Sequence, residues 1–326
     1  MNKLEESRRV GPNSFRPRQG WETLVNKPEE RQRLRKREPC TPRLTRSGDT
    51  VTDKSNLDFG AGAAPSSRAL SEKLVALQRD HDGLRREFSE AAKVQRRLSP
   101  PCRLRRGLFD IAGEIFPVRH LSGDFLTAFD AGLHTVLGVG DIAGKGGSAG
   151  MWFTHLIGLI RIFAGSLKDP AGVAAEINGH LAALQPEAPI TSLFLTRADT
   201  RTGELVYCNA GHPAPLVFRR DGSVEWLNAG GAVLGAVPDA TFVNGSTTLH
   251  PGDTLLSYSD GILECQNPRG EQFGLERLVD ATRSTVGSPS ADAVLFSVLG
   301  ATQDFAASEP RIDDLALMVV HHLGGR

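Results

Sequence analysis

Four segments of this chain carry an aspartate where an apolar run meets a turn. Asp124 stands in Ser122-Gly123-Asp124-Phe125, Asp141 follows Val136, Leu137, Val139 and Gly140, Asp260 sits in Tyr258-Ser259-Asp260-Gly261, and Asp313-Asp314 precede the apolar run Leu315 to His321. Singly, each reads as a turn or cap residue. Jointly they suggest more, because a sheet can gather its strand ends on one edge, and like charges collected there are costly unless cations neutralise them. Oxygen ligands without a nearby His or Cys set point to Mg²⁺ or Mn²⁺ rather than Zn²⁺. Two such ions sharing Asp141 would activate a water and steady the attacking and leaving oxygens of a phosphoryl group. The chemistry to expect is metal-assisted hydrolysis of a phosphate ester.

The elements that position these acids are legible in outline. Strands fit at Phe109 to Phe116, Phe125 to Phe129, Thr135 to Gly140, Thr191 to Asp199, Glu204 to Asn209, Ala214 to Arg219, Thr247 to Leu249, Asp253 to Tyr258 and Leu315 to His321. Helices fit at Gly147 to Ala164, Pro170 to Leu184, Leu275 to Arg283 and Ser290 to Leu299. Short hairpin signals at Asp130-Ala131-Gly132, Thr200 to Gly203 and Asp221-Gly222 make the sheets antiparallel. The expected fold class is therefore α+β, with two sheets and helices outside them.

The glycine-rich turn Gly140 to Gly150 does not form a nucleotide-binding P-loop. Only three residues separate Gly140 from Gly144, and Gly146 follows Lys145 where a hydroxyl is required. Lys145 could meet a phosphate as a point charge. His212, in Asn209-Ala210-Gly211-His212, invites assignment as a general acid, but a tight structural turn is the better reading.

Residues 1–67 are rich in Arg, Pro, Ser and Gly, lack apolar periodicity, and read as a disordered basic tail. Residues 68–99 read as a linker helix. Leu70, Leu74, Leu77, His81, Leu84, Phe88, Ala91, Gln95 and Leu98 follow alternating four- and three-residue steps, a heptad seam that predicts pairing into a homodimer. His81 and Gln95 place polar groups in that seam, and Pro100-Pro101 end the helix. Residues 100–326 then make the folded domain. The net charge of zero across 326 residues gives no argument for nucleic acid as a partner. Four scattered cysteines imply a reducing cytoplasm without disulfides. The absence of an apolar leader or a run long enough to span a bilayer implies a soluble chain with no membrane partner.

From about Leu98 onward the chain resembles the SpoIIE/RsbU-like branch of the metal-dependent PPM protein serine/threonine phosphatases. The matching segments are SGDF (122–125), GDIAGKGGSAG (140–150), NAGHPAPL (209–216), LGAVPDA (234–240), LHPGDTLLSYSDGILECQN (249–267), FGLERL (273–278) and IDDLALMVV (312–320). The resemblance implies an αββα sandwich with two Mn²⁺ or Mg²⁺ ions at one end of the sheets. It also implies Asp141, Asp260 and Asp313 as the catalytic carboxylates. Asp141 is then the bridging ligand, the Ile142 carbonyl completes one site, and Asp124 is the acid of the second ion or its water. Asp313 is preferred over Asp314 because its neighbour usually fills the supporting place. Thr127, where many members carry a further Asp, and Ala143, where Ser is common, depart from the pattern. The implied substrate is a phosphorylated anti-sigma-factor antagonist of the STAS class. No receiver, PAS or GAF-like sensor is evident before Leu70, so any sensor or activator is expected to be a separate protein. A catalytically weak phosphatase fold that mainly binds partners is the competing expectation.

Overall fold

The computed structural model describes residues 66–144, 146–167, 169–285, 287–288 and 290–324. The expectations for the tail, its basic patch, Cys40 and Lys145 lie outside the described residues. The chain enters through a long helix, α1 (Ser67–Leu98), and passes into β1 (Cys102–Arg106), β2 (Phe109–Phe116), β3 (Asp124–Ala131) and β4 (His134–Ile142). Helices α2 (Gly147–Ser166) and α3 (Pro170–Ala183) follow. Next come β5 (Thr191–Asp199), β6 (Glu204–Ala210), β7 (Leu216–Phe218), β8 (Val224–Trp226), β9 (Gly230–Gly231), β10 (Gly245–Thr248) and β11 (Thr254–Tyr258). The short α4 (Asp260–Leu263), then α5 (Gly274–Arg283), α6 (Ala291–Ala306) and β12 (Leu315–His322) complete the order.

Period-two alternation decides the layering, because successive strand residues face opposite sides. In β12, Ala316, Met318 and Val320 join one core while Leu315, Leu317 and Val319 join another. A strand apolar on both faces belongs in a layer covered on both sides. It lies inside a six-stranded sheet of order β1-β2-β12-β11-β7-β8, and the second sheet runs β10-β6-β5-β4-β3, with β9 beside β6. Every pairing is antiparallel except β6 with β9. Phe109, Ile111, Leu137, Val139, Phe194 and Met318 fill the space between the sheets. The outer face of the second sheet is covered by Phe153, Leu156, Ile160 and Ile177 from α2 and α3, and that of the first by Leu278, Val294, Leu295 and Val298 from α5 and α6. This is the αββα sandwich.

Two details tie the ends of elements to their surroundings. Asp110, on the helix-facing side of β2, accepts a hydrogen bond from Ala291 N at 2.8 Å and so satisfies one of the open donors at the start of α6. Asp169 and Ser290 cap α3 and α6 with side-chain acceptors. The described cysteines, Cys102, Cys208 and Cys265, are buried and unbridged. Among the described residues no helix is long and apolar enough to cross a membrane.

Helix α1 changes character along its length. Leu70, Leu74, Leu77 and Leu84 are more than half exposed, whereas Gln95 is 8% exposed and Leu98 packs against the core beneath α2. The sequence places Gln95 in a pairing seam. The structure instead turns its amide onto the backbone of Ser122, with Nε2 donating to the Ser122 carbonyl at 2.8 Å and Oε1 accepting from Ser122 N at 3.0 Å. Ser99, just past the helix, repeats the arrangement on Leu126, donating to its carbonyl at 2.6 Å and accepting from its N–H at 3.0 Å.

Candidate metal centre

Asp124 opens β3 and Asp141 lies in the last turn of pairing on β4, and the register sets them directly opposite each other. Side chains at directly paired antiparallel positions approach closely, and like charges there are destabilising. From the other sheet, Asp260 begins α4 immediately beyond β11, and Asp313 and Asp314 immediately precede β12. The strands β11 and β12 are antiparallel neighbours, so one strand's end and the other's start meet at the same edge. All five predicted acids are thus at one end of the sandwich, and their charges act on one another.

The electrostatics record that proximity. Asp124 is 2% exposed, and burial first, then the Asp141 charge, holds its carboxyl well above the usual range. Ser259 works the other way: its Oγ accepts from Ala316 N at 2.9 Å, which leaves its own proton to offer Asp124. Asp141 is pushed up to about 6 by burial and by the charges of Asp260, Asp313 and Asp314. Among the described residues no three His, Cys, Asp or Glu side chains close on a single point as a ready ligand shell. The acids lie near enough to act on one another's charge without converging on one point.

The groups around Asp124 and Asp141 have the chemistry of a hard-cation site. Asp124 Oδ2 is fully buried with no hydrogen-bond partner, an unusual cost for a carboxylate oxygen. A Cβ on Gly123 would sit 2.9 Å from the Ile142 carbonyl oxygen and 3.0 Å from Asp141 Oδ1. Glycine there keeps open the gap onto which those two oxygens face. The donors are carboxylate and carbonyl oxygens, which suits Mg²⁺ or Mn²⁺.

The two neighbouring acids at the start of β12 behave differently. Asp314 accepts from Val118 N at 2.7 Å through Oδ1, and from Gly123 N at 2.8 Å and Ser122 Oγ at 3.0 Å through Oδ2. It holds the loop that carries Asp124. Asp313 Oδ1 accepts from Asp314 N at 3.0 Å, and Asp313 and Asp314 line a small hollow together with Val118, Arg119 and Gly146, the mouth of this region.

The glycines of this region have definite work. Gly144 and Gly146, at φ of 119° and 82°, take backbone conformations that disfavour side chains and carry the chain from β4 into α2. Gly261 lets α4 approach β12, since a Cβ there would lie 1.8 Å from the Asp314 carbonyl oxygen. Gly261→Ala is expected to force that backbone apart, costing about 1–3 kcal/mol. A thermal melt should show a drop of several degrees.

His212 does not reach this chemistry as an acid. Burial pushes its imidazole down to about 3, and its Nδ1 pairs with Ser192 Oγ at 2.9 Å. Asn209 ties the turn instead, its Oδ1 accepting from His212 N at 2.8 Å and its Nδ2 donating to His212 O at 3.1 Å. Two features were not anticipated by the sequence. Gln95 and Ser99 fasten the backbone on either side of Asp124, and Arg119 brings a cation to the mouth.

The family model described as Stage II sporulation protein E (SpoIIE) matches residues 132–323. The chain belongs to the SpoIIE family. It falls in the SpoIIE/RsbU-like branch of the PPM phosphatases. The match includes Asp141, Asp260 and Asp313 and begins after Asp124. Over 244 residues this SpoIIE-family chain is 24% identical to phosphoserine phosphatase RsbU of Bacillus subtilis (strain 168), covering 73% of the chain and 70% of RsbU. It is 27% identical over 237 residues to protein IcfG of Synechocystis sp., but these span 64% of the chain and only 37% of IcfG. Among solved structures, the SiaA-PP2C domain of Pseudomonas aeruginosa superposes with a TM-score of 0.64 at 20% identity, over 74% of this chain and 98% of that one. The RsbU and RsbW domains of Rv1364c from Mycobacterium tuberculosis give 0.59 at 24% identity, over 67% and 61%. At those identities the likeness concerns the fold.

Proposed function

We propose that this chain hydrolyses phosphoserine or phosphothreonine in a phosphoprotein, with two Mn²⁺ or Mg²⁺ ions held by Asp124, Asp141, the Ile142 carbonyl, Asp260 and Asp313. The observation that carries this reading is the cross-strand pair Asp124 and Asp141, one with a buried unpartnered oxygen and the other destabilised by three further acids. When bound, such a pair of ions supplies an activated water and neutralises the phosphoryl oxygens. The chain's own residues do the rest. Asp141 faces acids from both sheets and so suits a shared position between the two ions. Asp260 and Asp313 add charge from the first sheet, Asp314 fixes the loop bearing Asp124, and Arg119 offers a guanidinium to an incoming phosphate at the mouth. The test is turnover of p-nitrophenyl phosphate and of phosphoserine peptides in Mn²⁺. Activity abolished by chelation and by Asp260→Asn supports the enzyme; wild-type inactivity on every phosphate ester would leave a partner-binding module.

By its likeness to phosphoserine phosphatase RsbU, the substrate we infer is a phosphorylated anti-sigma-factor antagonist of the STAS class. Residues 100–326 would then be the phosphatase domain of a cytoplasmic protein, and residues 68–99 a helix that pairs with a second copy through its exposed leucines. A separate sensor or activator would act on that helix. Its route to the chemistry is the clamp of Gln95 on Ser122, two residues from Asp124. Gln95→Ala removes both bonds and leaves buried Ser122 groups unpaired. The Mn²⁺ concentration needed for half-maximal turnover should rise by about tenfold or more, the scale of lost outer-shell support. An unchanged metal requirement would disconnect the helix from the centre.

A further inference from the structure

Ile312 and Asp313 form a ridge between two hollows. On one side is the mouth beside Asp313 and Asp314, a space of about 80 Å³ bounded by Val118, Arg119 and Gly146. On the other is a cavity of about 250 Å³ between the C-terminal end of α6 and the segment that leads to β12. Both hollows are lined by Ile312 and Asp313, so the larger one adjoins the candidate centre. Its volume far exceeds the 10–15 Å³ or so that a single water needs.

The lining indicates what it would accept. Phe116, Leu299, Ala306 and Leu315 supply apolar walls. Gln266, Thr302 and Gln303 provide polar groups around them, and Glu309, Arg311 and Asp313 stand at the rim, so an entering side chain meets apolar walls and a rim that disfavours an acidic one. Arg311 is held with its guanidinium 4.8 Å from the centre of the Phe116 ring, an arrangement that stiffens this wall. Ile312, half exposed at the crest of the ridge, offers apolar surface between the two spaces.

We propose that this cavity is a specificity subsite for the phosphoprotein substrate, taking one large apolar side chain that flanks the phosphorylated residue. The inference rests on the phosphatase reading above and adds to it a sequence preference. An extended peptide advances about 3.3 Å per residue. With its phosphate over the acids, a peptide crossing the two-residue ridge brings a side chain about two or three positions away over the cavity.

The full-length protein in Mn²⁺ is assayed on p-nitrophenyl phosphate and on a set of phosphoserine peptides in which each flanking position in turn is Ala, Leu, Phe or Asp. At one position Leu or Phe should raise kcat/KM by about tenfold or more over Ala, the scale of burying one such side chain. Gln303→Trp, at an exposed helical position beside the cavity, should fill it and erase that preference through KM while p-nitrophenyl phosphate turnover is unchanged. Peptide turnover without an apolar preference at any position overturns the subsite, as does a preference that Gln303→Trp leaves intact. Inactivity of the wild type on p-nitrophenyl phosphate and on all peptides is a different result: it removes the phosphatase reading, and the subsite falls with it.

Discussion

Asp141→Asn is expected to give a metal-free protein that is more stable than the wild type at neutral pH and that has lost its turnover. The stability gain follows from the sign of the Asp141 shift. Burial and the charges of Asp260, Asp313 and Asp314 raise its folded-state value from 3.8 to about 6. The folded chain therefore binds this proton more tightly than the unfolded chain does. Below 3.8 the site carries no penalty; as the pH rises the penalty grows, and it is complete above about 6. At neutral pH it amounts to roughly 3 kcal/mol, which asparagine removes together with the charge. Melts of metal-free wild type should fall in temperature between acidic and neutral pH more steeply than those of Asp141→Asn. Activity moves the opposite way. Removing one preorganised charge-stabilising group costs enzymes at least about 10²-fold, and under the function proposed above, with Asp141 shared by two ions, the loss should be larger. A variant that is less stable and still active would place the charge cluster outside the chemistry.

The second large effect separates the two acids at the start of β12. Asp314→Ala should destabilise the protein by about 3 kcal/mol or more: three hydrogen bonds to a carboxylate are lost, each worth about 1.5–3 kcal/mol, and relief of the repulsion Asp314 exerts on Asp124 and Asp141 offsets part of that. Those bonds hold Val118, Ser122 and Gly123, so the loop that presents Asp124 loosens and activity falls with stability. Under the function proposed above, Asp313→Asn should melt near the wild type while requiring at least about tenfold more Mn²⁺ for half-maximal turnover, since the proposed role of Asp313 is that of a ligand charge rather than a strut. Melting curves and Mn²⁺ titrations of both variants check the pair. If Asp313→Asn melts as low as Asp314→Ala, the two roles are exchanged or shared.

The acids were legible from sequence because each sits where an apolar run stops at a glycine or polar turn, a pattern that survives without knowledge of pairing. What lines them up is not local. Nothing near Asp124 announces that β3 and β4 register it opposite Asp141, or that β11 and β12 end at the same edge. The strands missed in sequence are too short or too charged to show: β1 is CRLRR, an edge strand with three arginines in five residues, β8 is three residues long and β9 two. Helix α6 runs to Ala306 rather than Leu299 because Gly300 weakens the helical signal without breaking the helix. Gln95 was read by its heptad position, and its true partner, Ser122, comes to it only through the fold. The cavity beside Asp313 is assembled from β2, α4, α6 and the turn before β12, and no single segment carries its mark.

The most direct test of the metal centre is calorimetric titration of Mn²⁺ into the full-length protein near pH 6, repeated in buffers of different ionisation heat. With Asp124 and Asp141 both held above the ordinary carboxylate range, ion binding should expel protons, and the measured heat should vary with the buffer. The expected result is two bound ions with proton release, and Asp141→Asn should weaken both. Binding without proton release, or unchanged by Asp141→Asn, would contradict a centre built on that residue.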